Sequence, residues 1–553
     1  MRTLISWIDE NYTDRYAEAD SHLERGVITL RNLPFLACPG EVLIWKEEGR
    51  VKSAVISSRI YQTSPPILYW DGSETMRSND NPESGAKKGE FSTIWAANAW
   101  NYKFVGEFIR KNVSIDLKFK ASSLDQEVAI STLAVYPLRF ADENTRLQLE
   151  RRGQTFWGCL IRNLVSYTGE DGMFTSGERF MVDFQIYKEL HSDSLKFELV
   201  YGDINGNEDS EDHERRKMSA DEMESETPPS EPSIYVFPDI VPGYHLRSKK
   251  WVDLEVDRIT DVKWNKKSFD SLVIDSKAKE MIQALVSHQI ESEKGTDLIH
   301  RKGNGLIILL HGGPGTGKTF TAESVAEIAE KPLFCVTCGD IGTKPEQVEK
   351  YLESVLYLGK TWGCVVLIDE AEVFLEQRSL DNLERNALVS VFLRVLEYYE
   401  GILVLTTNRV GTFDEAFKSR ILLSLHYEKL TKGQRRKIWR GFINHLQSTH
   451  RDLSSHDKDI KGKNGEGPSE GVPEIAYQEI LDSLDELSAH ELNGRQIRNI
   501  ITTSRQLAKF RKQTLNYGLL EEVISLSGKF DEYFRKLNEN QSDEQIARSD
   551  GIR

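Results

Sequence analysis

Apolar and polar positions alternate along much of the first third of the chain. Residues 113–119 read Val-Ser-Ile-Asp-Leu-Lys-Phe, a strict alternation that predicts a half-buried strand, and 180–186 (Phe-Met-Val-Asp-Phe-Gln-Ile) reads as another. The short runs 41–45, 54–58 and 66–70 are rich in β-branched or aromatic residues with Pro or Gly nearby, and predict further strands. Residues 1–202 are therefore expected to form a β-rich N-terminal domain. Six of the ten tryptophans fall in it (Trp7, Trp45, Trp70, Trp95, Trp100, Trp157). Such rings either pack a core or line a binding surface, and the core is favoured here. No set of His, Cys, Asp or Glu in this half has catalytic or metal-ligand spacing.

The pattern then lapses. Residues 203–232 hold eleven acidic residues against Arg215, Arg216 and Lys217, a net of −8, half of the chain's formal −16. With so little to bury, this stretch reads as an acidic disordered linker, a solvated spacer in preference to a docking site. Residues 233–265 regain apolar character and read as a connecting segment. Beyond them, 268–274 leads into an amphipathic helix around 278–288.

Continuous apolar runs follow, each long enough for a buried strand. The first, Leu306-Ile307-Ile308-Leu309-Leu310, leads into His311 and then Gly312-Gly313-Pro314-Gly315-Thr316-Gly317-Lys318-Thr319, and a helical repeat comes next. Strand, G-x-x-x-x-G-K-T and helix in that order form a phosphate-binding loop. The glycines let backbone N–H groups approach the phosphates, and the helix N-terminus adds positive potential. Lys318 supplies a point charge, and the Thr319 hydroxyl suits Mg²⁺. The chain is expected to bind a nucleoside triphosphate.

A second run, Cys364-Val365-Val366-Leu367-Ile368, delivers Asp369 and Glu370 at its C-terminal end, where open α/β sheets bind ligands. Asp369 is placed to hold Mg²⁺ through its water shell, and Glu370 to orient and deprotonate the attacking water. Glu372 reads as surface. The helical repeat of Leu388, Val391, Phe392, Val395, Leu396 and Tyr399 predicts a helix packed on the sheet, and Gly401 ends it. The strand 402–407 brings Asn408 to its tip. There an Asn either bonds the attacking water or the γ-phosphate, or closes a turn. Arg420 ends a short helix at 413–420 before the strand 421–425, and on local grounds it is a charge at a helix C-terminus.

At 553 residues the chain is expected to hold two or three domains. Its acidity argues against general nucleic-acid binding. Five cysteines build no disulfide framework, which fits a reducing compartment. Cys335 and Cys338 form a C-x-x-C in an apolar stretch and read as core strand, not as a zinc or redox pair. The N-terminus turns acidic before a signal-peptide core forms, and no apolar run approaches membrane-spanning length. The expectation is a soluble, intracellular protein without a membrane segment.

With the loop 312–319, the strand 365–370, Thr406-Thr407-Asn408 and Ser419-Arg420-Ile421 in this order, the chain resembles the AAA-type ATPases. More narrowly it resembles the fungal AAA proteins that carry an N-terminal domain of unknown function, through phrases such as 386–394 and 396–399. That resemblance implies a P-loop NTPase with a doubly wound parallel sheet at 266–427. It also implies a helical lid at 428–540, a tail at 541–553, and assembly into a ring, commonly a hexamer. Asn408 becomes the sensor-1 residue, and Arg420 an arginine finger reaching a neighbour's γ-phosphate. In the lid, Thr431-Lys432-Gly433-Gln434 is a capping-box pattern opening a helix with Ile438, Trp439, Phe442, Ile443 and Leu446 on one face. A polar insertion at 451–471 interrupts it. Asn493-Gly494-Arg495-Gln496 opens another helix, with Arg495 where many relatives place a sensor-2 arginine. The chain departs from the family pattern in having a single arginine where two are usual, Asp340 before Ile341 and Gly342 at the aromatic pore-loop position, and one AAA cassette. The implied function is Mg-ATP hydrolysis at subunit interfaces that remodels a protein client by moving the N-terminal domain. A nucleotide-gated scaffold and a DNA-associated loader are the alternatives.

Overall fold

The alternation at 113–119 is met in the computed structural model, where Ile115, Leu117 and Phe119 are buried and Ser114, Asp116 and Lys118 are exposed. The structure describes residues 2–64, 67–69, 90–104, 107–169, 177–191, 217–294, 305–337, 339, 344–375, 383–408, 415–460 and 474–537. They divide between two units, Met1–Val262 and Lys263–Arg553.

The first unit starts with a helix, α1 (Arg2–Glu24), that the strand patterns gave no hint of. Nine strands follow: β1 (Val27–Ile28), β2 (Val42–Glu47), β3 (Arg50–Ile56), β4 (Tyr61–Gln62), β5 (Ile67–Tyr69), β6 (Glu90–Phe104), β7 (Phe108–Ala121), β8 (Val128–Ala129) and β9 (Val135–Pro137). β1 pairs with β8, and the rest form a seven-stranded antiparallel sheet built on the long β6–β7 hairpin. Helix α2 (Glu143–Gly158) precedes a second antiparallel sheet of β10 (Asn163–Tyr167), β11 (Glu178–Val182), β12 (Ile240–His245), β13 (Lys250–Glu255) and β14 (Ile259–Asp261), in the order β13-β12-β11-β10-β14. Trp95 and Trp157 are buried, and Trp45 and Trp100 pack on the cores, while Trp7 is exposed and Trp70 lies outside the described residues.

Three expectations are corrected here. The strand read at 180–186 stops at Val182. The Asp183 carboxylate accepts the Ile186 amide at 3.0 Å and starts helix α3 (Phe184–His191), an N-cap that outweighs the alternation. Residues 233–265 are not a connector, because β12, β13 and β14 complete the second sheet and Val165 pairs with Asp261. Nor is the described end of 203–232 a solvated spacer: Met218 is buried in the same core as Ile234, Tyr235, Val236 and Phe237.

Arg152 of α2 ties that arrangement together from inside. It is 2% exposed, and it donates to Asp257 through Nε (2.8 Å) and Nη2 (2.5 Å), and to the Val51 carbonyl through Nη1 (2.6 Å). Burial pushes the Asp257 carboxyl up, but the bonds and charge of Arg152, with Gln148, hold it below the ordinary aspartate range. Its contribution is therefore full above the unfolded pKa and is lost as pH falls through the folded one. Asp257→Ala strands a buried cation and is expected to cost about 3–5 kcal/mol. Urea titration followed by tryptophan emission checks this, since seven of the ten tryptophans lie in this unit.

In the second unit, helix α4 (Ser276–Lys294) packs Ile282 and Val286 into a core with Leu306, Ile308 and Leu310. Five parallel strands, β15 (Leu306–Gly312), β16 (Leu333–Thr337), β17 (Val365–Asp369), β18 (Ile402–Thr407) and β19 (Leu423–Tyr427), take the order β16-β17-β18-β15-β19. Between them run α5 (Lys318–Ala329), α6 (Pro345–Thr361) and α7 (Leu383–Glu397). This is the doubly wound α/β sheet, and its central strands β15, β17 and β18 are buried between layers of helix. Cys335 lies in β16, and Cys338 falls outside the described residues. The lid is helical: α8 (Lys432–Ile460), α9 (Gly494–Arg511) and α10 (Tyr517–Leu537) surround buried Trp439, Ile443, Ile497 and Leu520. The backbone of α8 runs helical to Ile460, ten residues into the expected insertion at 451–471, whose remainder is not described. Among the described residues no helix is long and apolar enough to cross a membrane.

Candidate active site

The parallel order carries β15, β17 and β18 side by side, so their C-terminal ends bring Lys318, Asp369, Glu370 and Asn408 to one edge. Gly312 and Gly315 make the loop possible. Gly312 has φ 144°, and a Cβ there would stand 2.2 Å from the Tyr427 carbonyl oxygen. Gly315 has φ 70°, and its Cβ would stand 2.5 Å from Asn493 Oδ1. Thr316 Oγ1 donates to the Gly313 carbonyl at 2.8 Å, Pro314 is exposed, and Gly317 caps α5.

Lys318 is 7% exposed. Its ammonium donates to the carbonyls of Gly312 (2.9 Å) and Gly313 (2.7 Å) and to Asn408 Oδ1 (2.9 Å). Asn408 thus faces the loop lysine directly. The Thr319 hydroxyl lies 3.3 Å from each Asp369 oxygen. Thr406 supports both acids: its hydroxyl donates to Asp369 Oδ1 and accepts the Glu370 amide at 3.1 Å. Its carbonyl accepts the Ala371 amide at 2.8 Å. Its place one strand over from Asp369 was the only available signal. Those bonds hold an unusual backbone. Glu370 has φ 58°, and of the five described non-glycine residues with positive φ it alone neither ends a helix nor turns a hairpin. Such a conformation costs about 1–3 kcal/mol and persists where surrounding bonds impose it. Glu370 is exposed, whereas Asp369 is half-buried.

The residues present fit a nucleotide with Mg²⁺. The cation's expected holders, Thr319 and Asp369, offer only hard oxygen donors. The loop offers a buried ammonium, backbone of the left-handed kind at Gly315 and Gly317, and the start of α5.

The lid reaches this site through its backbone. The Gly494 amide donates to the Gly315 carbonyl at 2.9 Å. Asn493 caps α9 with a full capping box, its side-chain Oδ1 accepting the Gln496 backbone amide while the Gln496 side-chain oxygen accepts the Asn493 backbone amide, both at 2.9 Å. Arg495 is exposed on the first turn beside this contact. Below the loop, Thr321 Oγ1 shares a 2.7 Å hydrogen bond with Tyr427 Oη, and burial pushes that phenol up to about 12. His311 and His426 meet Nδ1 to Nδ1 at 3.1 Å. Burial, then His426 and Lys318, push the His311 imidazole down. Neither contact was foreseen, since each joins β15 or α5 to the distant β19.

Gly315→Ala is expected to weaken ATP binding about five- to thirtyfold, from about 1–2 kcal/mol of strain and the push on Asn493. Calorimetry checks the affinity, and hydrogen exchange at 493–497 checks the loosened cap.

Arg420 follows the turn of helix at Glu415–Lys418. Its Nη1 donates to the Ala416 carbonyl at 2.8 Å and its Nη2 lies 3.3 Å from Glu397 Oε2. Asp340, Ile341 and Gly342 lie outside the described residues.

Comparison with known proteins agrees with this geometry. Residues 308–428 match the family model described as ATPase family associated with various cellular activities (AAA). Residues 430–541 match the fungal AAA+ ATPase lid domain, and 18–142 a domain of unknown function (DUF7025). The chain is 28% identical over 148 residues to ATPase family AAA domain-containing protein 3B of Homo sapiens, covering 25% of this chain and 23% of that protein. It is 32% identical over 126 residues to the 3A homolog of Drosophila melanogaster (22% and 21% covered). It is 28% identical over 176 residues to the ATP-dependent zinc metalloprotease FtsH of Cyanidium caldarium, covering 28% of each. The chain spans about a quarter of the length of these curated relatives.

Proposed function

Because the chain carries the AAA ATPase domain with a fungal AAA+ lid and an N-terminal domain of unknown function, we propose that it hydrolyses ATP at interfaces between its own copies and uses the cycle to remodel a protein client. The observation that carries this reading is the convergence of Lys318, Thr319, Asp369, Glu370 and Asn408 at neighbouring strand ends. Lys318, with the amides of 312–319, binds the β- and γ-phosphates. Thr319 and Asp369 hold Mg²⁺, which when bound neutralises charge on the phosphate oxygens. Glu370 accepts a proton from the water that attacks the γ-phosphorus, and the P–O bond to ADP breaks. Asn408 orients that water or the γ-phosphate, and Arg495 is a lid arginine for the phosphates. Arg420 stabilises the transferring phosphoryl group in the neighbouring copy, in a ring that is a hexamer by family likeness.

The motion is proposed to pass between the two units, which adjoin in sequence at Val262 and Lys263. Nucleic acid has no part in this reading. A phosphate-release assay tests it. Glu370→Gln is expected to keep ATP affinity and to lose about 10²- to 10⁴-fold in turnover, the usual worth of a general base. A wild-type chain that assembles with ATP yet releases no phosphate is instead the nucleotide-gated scaffold.

A further inference from the structure

Arg420 does not stand alone at the end of its helical turn. Phe417, three residues earlier, is buried against Phe392 of α7 with ring centroids 5.8 Å apart, and Phe392 packs in turn on Phe374 at 5.0 Å, both pairs tilted. That aromatic column fixes the backbone on which Arg420 is mounted. It does not fix the guanidinium, which is attached through a long, flexible stem. Two cis contacts do that: the Ala416 carbonyl on Nη1 and the Glu397 carboxylate on Nη2. The third nitrogen, Nε, is buried without a partner in the structure.

Glu397 stands at a helix end. It is the last residue of α7, where the helix dipole presents partial negative charge and disfavours a carboxylate. Both partners remain partly exposed, 27% for Arg420 and 36% for Glu397, so the pair adds little to stability by itself. The weak stabilising return of this partly exposed pair, and its grip on one end of the fork, point to a role in orientation. An arginine has five N–H donors in a rigid fork, so two cis contacts leave donors for a phosphate.

We propose that Glu397 is a positioning residue for the reaction: it aims Arg420 outward, towards the phosphoryl group in the neighbouring copy's site, without touching nucleotide itself. This rests on the reading of Arg420 as a finger acting in trans. Loss of Glu397 leaves the fork on one carbonyl, and misplacement of a transition-state contact by about 1 Å can cost up to about a hundredfold.

The test uses the full chain and steady-state ATP turnover. Glu397→Gln keeps the side-chain volume and removes the charge. It is expected to lower kcat about ten- to a hundredfold while leaving KM for ATP and the thermal midpoint at their wild-type values. Glu397→Asp, which restores the charge, is expected to recover part of kcat. Combined with Arg420→Ala, Glu397→Gln is expected to add no further loss. Mixed with Glu370→Gln chains, the Glu397→Gln chain is expected to regain activity, because an interface then joins one chain's intact Arg420–Glu397 pair to the other's intact Glu370. A purely structural residue would show neither the absence of additivity nor the rescue. Wild-type kcat in Glu397→Gln beside an inactive Arg420→Ala overturns the proposal and leaves the finger standing. So do additive losses, failed mixing, or a lowered thermal midpoint without recovery in Glu397→Asp. Wild-type turnover in Arg420→Ala overturns the finger, and Glu397's role with it.

Discussion

Lys318→Met is expected to bind ATP roughly 30- to 150-fold more weakly than the wild type, from the loss of charge-assisted bonds worth about 2–3 kcal/mol. Methionine is the better probe than alanine. Lys318 is almost wholly buried, and three acceptors (Gly312 O, Gly313 O and Asn408 Oδ1) match the three protons of its ammonium. Alanine would leave a void as well as unmet carbonyls, so its effect would mix folding with binding. Methionine keeps the stem and fills the space, so the three acceptors lose their donor without a void. Isothermal titration with ATP checks the affinity, and thermal denaturation shows whether the fold has been kept. Unchanged affinity in a folded Lys318→Met chain would remove the phosphate loop from the argument.

A chain carrying Arg420→Ala is expected to bind ATP normally and to turn it over about 10³- to 10⁵-fold more slowly. The same interface logic makes wild-type turnover per chain rise with protein concentration as copies associate. Mixing Arg420→Ala with Glu370→Gln should then restore part of the rate, because one interface in the mixture has both groups intact. Turnover independent of concentration, with no recovery on mixing, would place the chemistry within single chains.

The parts of the site that could be read beforehand are those written in consecutive residues. The loop 312–319, the strand ending at Asp369 and Glu370, and the two capping boxes at Thr431–Gln434 and Asn493–Gln496 each encode their own local geometry. The parts that could not be read depend on chain segments meeting from afar. Thr406 matters because β18 lies beside β17. Asn493 matters because the lid closes on Gly315, 178 positions earlier by number. Glu397 is an ordinary helix-end acid until the turn at Glu415–Lys418 brings Arg420 to it. In the first unit, acidic composition at 203–232 spoke for a spacer, but Met218 is buried beside Phe108, and the Met218 amide donates to the Phe108 carbonyl at 3.0 Å. Helices α1 and α2 escaped notice because both are mostly polar, with the apolar stripe too thin to stand out.

One consequence follows from the way the second sheet is closed. Its strands come from two stretches of chain, 163–182 and 240–261, and the acidic tract lies between them. The near end is fixed where His191 lies against Tyr187 and Trp251, at ring-centroid distances of 4.4 and 6.1 Å. The far end is fixed where Lys217 bridges Ile109. A tract with both ends secured to one body cannot serve as the tether between two. It is an insertion within one unit of the chain. A protease site engineered at 205 and then cut should yield two bands under denaturing conditions and one undivided particle under native ones, with the ATPase unit still attached.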